Sequence, residues 1–145
     1  MTTYLGFFDG SITVNPGGDM GIGCLLYEIV DGRKELIFEH SETLLSKFYP
    51  NGTSNNVAEC LALSKLLSYL ILEDMQTAKI EIRGDSQIIL NRLMGIGKNK
   101  PAKGMFAPYL AEVIQIVPQF SNITFTWKGR EHNTEADKLS KVQYR

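Results

Sequence analysis

Four acidic residues stand where acids are costly unless something meets them. Asp9 closes the run Tyr4-Leu5-Gly6-Phe7-Phe8, an apolar stretch with no basic residue near it in sequence. An unpaired carboxylate in such surroundings costs several kcal/mol, so Asp9 must either hold its proton or meet a cation. Three more acids occupy comparable places. Glu59 falls in the first turns of a helix opened by Ser54-Asn55-Asn56, Asp85 follows the strand-like Ile80-Glu81-Ile82-Arg83-Gly84, and Asp137 comes early in a last helix begun by Asn133-Thr134-Glu135-Ala136. Carboxylates arriving from separate segments form a ligand set for a hard divalent cation. Mg²⁺ takes oxygen ligands in octahedral geometry, keeps several waters and needs neither His nor Cys. Two such ions about 4 Å apart can activate a water on one side of a phosphorus and stabilise the leaving alkoxide on the other.

The elements that must carry these acids follow from hydrophobic periodicity. Tyr4 to Ser11 reads as a strand buried on both faces, hence central in a sheet. Asn15-Pro16-Gly17-Gly18-Asp19 is a turn, Gly21 to Glu28 a second strand, Asp31-Gly32 a hairpin turn, and Lys34 to His40 an alternating third strand. His40, where that alternation fades, is read as a surface residue rather than a ligand. After the turn Pro50-Asn51-Gly52, a helix capped by Ser54 or Asn55 runs to Leu72, with Val57, Leu61, Ala62, Leu66, Tyr69 and Leu70 at helical spacing. Glu59 lies one position off part of that stripe. Lys79 to Arg83 alternates as a strand after a helical crossover, which sets it parallel beside the first and brings Asp85 near Asp9. Ser86 to Met94 is a short helix, and Gly95 to Gly104 is a loop carrying Lys98, Lys100 and Lys103. Met105 to Val117 is a helix with Phe106, Leu110, Val113, Ile114 and Val117 on its apolar face, ended by Pro118. Asn122 to Trp127 is the last strand, and the helix from Thr134 turns Leu139 and Val142 inward. The order βββαβααβα supports an α/β fold, and 145 residues suit a single domain spanning 1–145.

Taken in order, Asp9-Gly10-Ser11 with Asn15-Pro16-Gly17-Gly18, then Ser54-Asn55-Asn56 with Glu59, then Asp85-Ser86-Gln87, and finally Asn133 with Ala136-Asp137, resemble the motifs of type 1 ribonuclease H. That family cuts the RNA strand of an RNA–DNA hybrid. Any one motif is weak, since Asp-Gly-Ser is ordinarily a turn and Asp-Ser a helix cap. Together, in this order and over nearly the whole chain, they are specific. The resemblance implies the ribonuclease H-like fold, a five-stranded mixed sheet in the order 3-2-1-4-5 with helices on both faces. It implies a metal-dependent endoribonuclease with two Mg²⁺ ions, for which Mn²⁺ substitutes. Asp9 would bridge both ions, with Glu59 and Asp85 on one and Asp137 on the other. Asn55, Asn56, Gln87 and the backbone near Gly10-Ser11 would make polar contacts to the hybrid, whose 2′-hydroxyls distinguish its strands across the shallow minor groove. Ser54 would hold a DNA-strand phosphate, and Asn15 and Asn133 complete the substrate-binding set. Ser54 and Asn55 can equally serve as helix caps.

Two departures bear on that reading. Relatives carry a long basic loop rich in Trp and Lys, of which only Lys98, Lys100 and Lys103 remain, implying weaker hybrid affinity. Relatives also carry a mobile histidine further ahead of the final aspartate, where it assists water activation or product departure. Here only seven residues separate Gly129 from Asp137, and His132 lies five before the acid. His132 or Arg130 takes over that role, or neither does; His132 is kept as a catalytic candidate.

The net charge of −1 hides a polarity: Met1 to Asn91 carries 6 Lys+Arg against 12 Asp+Glu, and Arg92 to Arg145 carries 9 against 4. The basic C-terminal third suits a phosphate-facing surface. No run approaches the roughly 18–20 apolar residues of a membrane span and no signal-peptide pattern opens the chain, so a cytoplasmic protein without membrane association is expected, and a monomer. Cys24 and Cys60 fall inside apolar patterns and are read as buried free thiols. Two other readings are an enzyme of this fold acting on double-stranded RNA and a non-catalytic nucleic-acid-binding module. The second is disfavoured because a pure binder gains nothing from clustered acids facing phosphates.

Overall fold

In the computed structural model, which describes residues 1–95 and 102–144, the apolar N-terminal run forms β1 (Thr2–Ile12). It is flanked on both sides, antiparallel by β2 (Met20–Val30) and parallel by β4 (Lys79–Gly84). β3 (Arg33–Leu44) closes one edge and β5 (Ile123–Trp127) the other, giving the order β3-β2-β1-β4-β5. This is the mixed five-stranded sheet that the resemblance implies. β2 and β3 run longer than their side-chain pattern suggests. A ladder from Met20↔Leu44 to Val30↔Arg33 holds them, with a bulge at Leu26/Tyr27. His40, inside β3, pairs with Glu42 at 2.8 Å on the surface.

The two faces of the sheet follow from the strand period. A Cβ on Gly6 would meet Leu66 of α1 (Asn55–Leu72), which lies across β1 and β2. Beside α1 are α2 (Gln87–Leu93) and α3 (Ala107–Ile116). α4 (Thr134–Leu139) covers the opposite face, over Gly23, the partner of Asp9. The core lies between α1 and the sheet, where Phe8, Leu26, Leu63, Leu66, Leu70 and Ile82 are fully buried. Each such side chain contributes about 2 kcal/mol relative to exposure. Cys24 and Cys60 are buried free thiols within it.

Several expected positions move. Ile114 is 45% exposed rather than on the inner face of α3, where Leu110 and Val113 are buried and Phe106, Tyr109, Ile116 and Val117 pack against the core. Leu139 and Val142 are only half-buried; α4 ends at Leu139 and its inner residues are Ala136 and Ser140. The helix sits close to the sheet, with Leu139 Cβ, the Ser140 nitrogen and the Ala136 carbonyl over Gly23. Lys103 is exposed, while Lys98 and Lys100 lie outside the described residues. No described helix is long and apolar enough to cross a membrane.

Candidate active site

The site forms where β1 and β4 part. Their pairing stops at Phe7↔Arg83, and Asp9 and Asp85 come just beyond, at the carboxyl ends of two adjacent parallel strands. Such an end is where open α/β sheets place ligands. Gly10 brings in the third acid: a Cβ there would lie 2.5 Å from the Ala58 carbonyl carbon and the Glu59 nitrogen, so only glycine lets the first turns of α1 rest on the strand. The helix start is fixed by two caps. Ser54 Oγ accepts from the Val57 amide at 3.1 Å, and Asn15 Oδ1 accepts from the Asn55 amide at 3.1 Å. Trp127 Nε1 donates to the Asp85 carbonyl at 3.3 Å and steadies the segment after β4. Asn133 is buried before α4, where its Nδ2 donates to the Phe8 carbonyl at 3.0 Å.

One oxygen from each of Asp9, Glu59 and Asp85 lies within 4.8 Å of the others, although Asp9 is only 4% and Glu59 only 3% exposed. Burial, then the Asp85 charge, pushes the Asp9 carboxyl up to about 7. Burial, followed by Asp9, raises Glu59 well above the usual carboxylate range. Burial also raises Asp85, with the Arg130 guanidinium pulling it back. Asp137 adjoins Asp9 and takes Lys141 Nζ at 3.4 Å. Glu59 Oε2 is buried with no hydrogen-bond partner. Clustered oxygen donors, one of them orphaned, that take up protons unless a cation compensates their charge suit a hard divalent cation. The donor set fits the group.

Asp9, Gly10, Ser11, Asn15, Asn55, Glu59, Asp85 and Asp137 all line one open cleft of about 510 Å³. The other sequence candidates stand differently. The Ser54 hydroxyl is engaged in its cap, Ser11 Oγ donates to the Ser140 carbonyl, and Asn133 is held inside. Asn56 is half-buried in the first turn of α1 outside the cleft lining, and Gln87 is exposed beside Ser86, which does line it. His132 is exposed, 3.7 Å from Glu131 Oε1, in a separate depression with Phe7, Tyr27 and Lys34. Arg130, two residues earlier on the same turn, lines the cleft and acts on Asp85. Trp127, Lys141 and Ser140 were not singled out by sequence. Ser140 and Lys141 lie three and four positions after Asp137, the spacing that shares a helix face and could have found them.

A model of the family described as reverse transcriptase-like matches residues 36–143. Among solved structures, the chain is similar to LC11 ribonuclease H1, isolated from compost by a metagenomic approach, with a TM-score of 0.78 at 28% identity over 97% of this chain and 94% of that one. The same LC11 protein in complex with an RNA/DNA hybrid gives 0.76 at 27% identity, over 95% and 94%. Ribonuclease H1 from the halophilic archaeon Halobacterium salinarum gives 0.74 at 27% identity, also over 95% and 94%. The family match runs from β3 through the helix bearing Glu59 to the one bearing Asp137, and the likeness in structure takes in β1 and Asp9: the chain belongs to the reverse transcriptase-like family and is a type 1 ribonuclease H.

Proposed function

We propose that the protein is a metal-dependent endoribonuclease that hydrolyses the RNA strand of RNA–DNA hybrids. The observation that carries this is the trio Asp9, Glu59 and Asp85, the first two buried and Asp85 half-buried, with oxygens within 4.8 Å and the Glu59 Oε2 left without a partner, lining an open cleft. Asp9, Glu59 and Asp85 would hold one Mg²⁺ and Asp9 with Asp137 a second; Mn²⁺ would substitute, being equally content with oxygen ligands. When bound, the ions supply an activated water and a stabilised alkoxide leaving group.

The chain's own groups do the rest. Arg130 offers a planar donor fork to a phosphate beside Asp85, a geometry lysine cannot match. Trp127, 46% exposed at the cleft wall, offers a flat face to a sugar or base. Asn55 and the backbone of Gly10-Ser11 line the cleft where minor-groove 2′-hydroxyls would lie, which favours an RNA strand. The test is cleavage of strand-labelled hybrid, duplex RNA and duplex DNA with Mg²⁺ and with chelator. Cuts in the RNA strand of the hybrid, only with metal, are expected; preferential cutting of duplex RNA, or none of any substrate, would overturn the proposal.

A further inference from the structure

α4 is six residues long, too short to hold itself by helix propensity, yet it carries Asp137. It is tied to the sheet at both ends, before its first residue by Asn133 Nδ2 donating to the Phe8 carbonyl and, more extensively, at its C-terminal end. The strands beneath donate hydroxyls to carbonyls the helix leaves unpaired: Ser41 Oγ to the Leu139 carbonyl at 2.5 Å, and Ser11 Oγ to the Ser140 carbonyl. Gly23 permits the approach, since a Cβ there would lie 2.6 Å from Leu139 Cβ and from the Ser140 nitrogen.

Ser140 caps this end and is 0% exposed. Its hydroxyl has one proton and two acceptors, the Asp137 carbonyl at 2.8 Å and Asp9 Oδ2 at 3.2 Å. A serine returning a bond to a carbonyl three residues back is ordinary helix behaviour. The second acceptor is not local: it is a carboxylate 131 positions away, and when ionised it is the stronger acceptor of the two. We propose that Ser140 is a positioning residue for the acid cluster, its hydroxyl fixing the Asp9 carboxylate against the helix that carries Asp137 so that both are presented to a divalent cation as one unit. The inference rests on the metal-dependent reading above. The alternative is that the hydroxyl merely docks α4, as Ser41 does.

The experiment measures Mn²⁺ binding to nucleic-acid-free protein by titration calorimetry, together with hybrid cleavage kinetics, in wild type, Ser140→Ala and Ser41→Ala. Ser140→Ala should weaken Mn²⁺ binding and lower kcat by about tenfold each, as expected for one lost hydrogen bond to a charged group, while KM for hybrid stays within about twofold. Ser41→Ala, which removes a hydroxyl from the same helix end without touching a carboxylate, should lower the melting temperature but leave Mn²⁺ affinity and kcat near wild type. Wild-type Mn²⁺ affinity in Ser140→Ala, or equal weakening in both variants, would overturn the inference. If Ser140→Ala does not fold, Ser140→Cys, close in volume with a much weaker donor, replaces it: weakened Mn²⁺ binding supports the role and unchanged binding overturns it. A wild type that neither binds Mn²⁺ nor cleaves hybrid would overturn the metal-dependent reading as well, whereas a competent wild type beside an unaffected Ser140 variant removes this inference alone.

Discussion

Asp9 and Asp85 each lie two residues past the last pair that joins the parallel strands β1 and β4, with their oxygens within 4.8 Å, and the Asp85 charge adds to burial in pushing the Asp9 carboxyl from its ordinary 3.8 up to about 7. The folded protein therefore holds that proton more tightly than the unfolded chain does. By linkage, stability is lost as pH rises from about 4 through 7, the reverse of what a salt-bridged carboxylate gives. With chelator present, the melting temperature should fall between pH 5 and pH 8, and Asp9→Asn should flatten that slope. A melting temperature that rises over this range, with the same slope in Asp9→Asn, would show that the acids do not repel one another.

Divalent cation should reverse the penalty. Mg²⁺ at about tenfold its dissociation constant should stabilise the wild type by roughly 1.4 kcal/mol at pH 8, through mass action on the folded state. Asp85→Asn should gain little from Mg²⁺ yet melt higher than wild type in chelator, since one like charge has gone from the cluster. Thermal melts with and without Mg²⁺ check both signs.

Sequence left one role open between Arg130 and His132, and the structure sets the two residues apart. Arg130 lines the cleft and acts on Asp85, whereas His132 lies in another depression. Arg130→Ala should lower kcat/KM by about 10- to 100-fold, the worth of a charged hydrogen bond of roughly 1.5–3 kcal/mol. His132→Ala should stay within about threefold of wild type, in the range of an ordinary surface substitution. Steady-state kinetics on both variants decide the matter, and the opposite order would return the role to His132.

The elements were largely readable because their signals are local: Asp9 and Asp85 follow apolar or alternating runs, and the crossover rule sets β4 parallel beside β1. The full strand order and the choice of Glu59, which by itself reads as a solvated acid in a first helical turn, came from the order of the family's motifs. What escaped depends on contacts between distant segments. Nothing near Ser140 in sequence announces that it meets Asp9, and nothing near Trp127 that it reaches the Asp85 carbonyl. Arg130 and His132 share a 3₁₀ turn, where about three residues complete a circuit, so positions two apart point different ways and sequence could not choose between them. Leu139 and Val142 meet the expected inner face in part: both are half-buried, and Leu139 Cβ rests over Gly23 of the sheet.

Whether the clustered carboxylates hold the metal needed to cut the RNA strand is decided by cleavage of strand-labelled hybrid by purified Asp9→Asn and Asp85→Asn across a Mg²⁺ titration. Each change keeps side-chain volume while removing an anionic ligand, so the fold should persist, as far-ultraviolet dichroism would show. Losing several kcal/mol of transition-state charge stabilisation should lower the rate at least about 1000-fold at every Mg²⁺ concentration. Substantial Mg²⁺-dependent cleavage of the RNA strand by either folded variant would contradict the account.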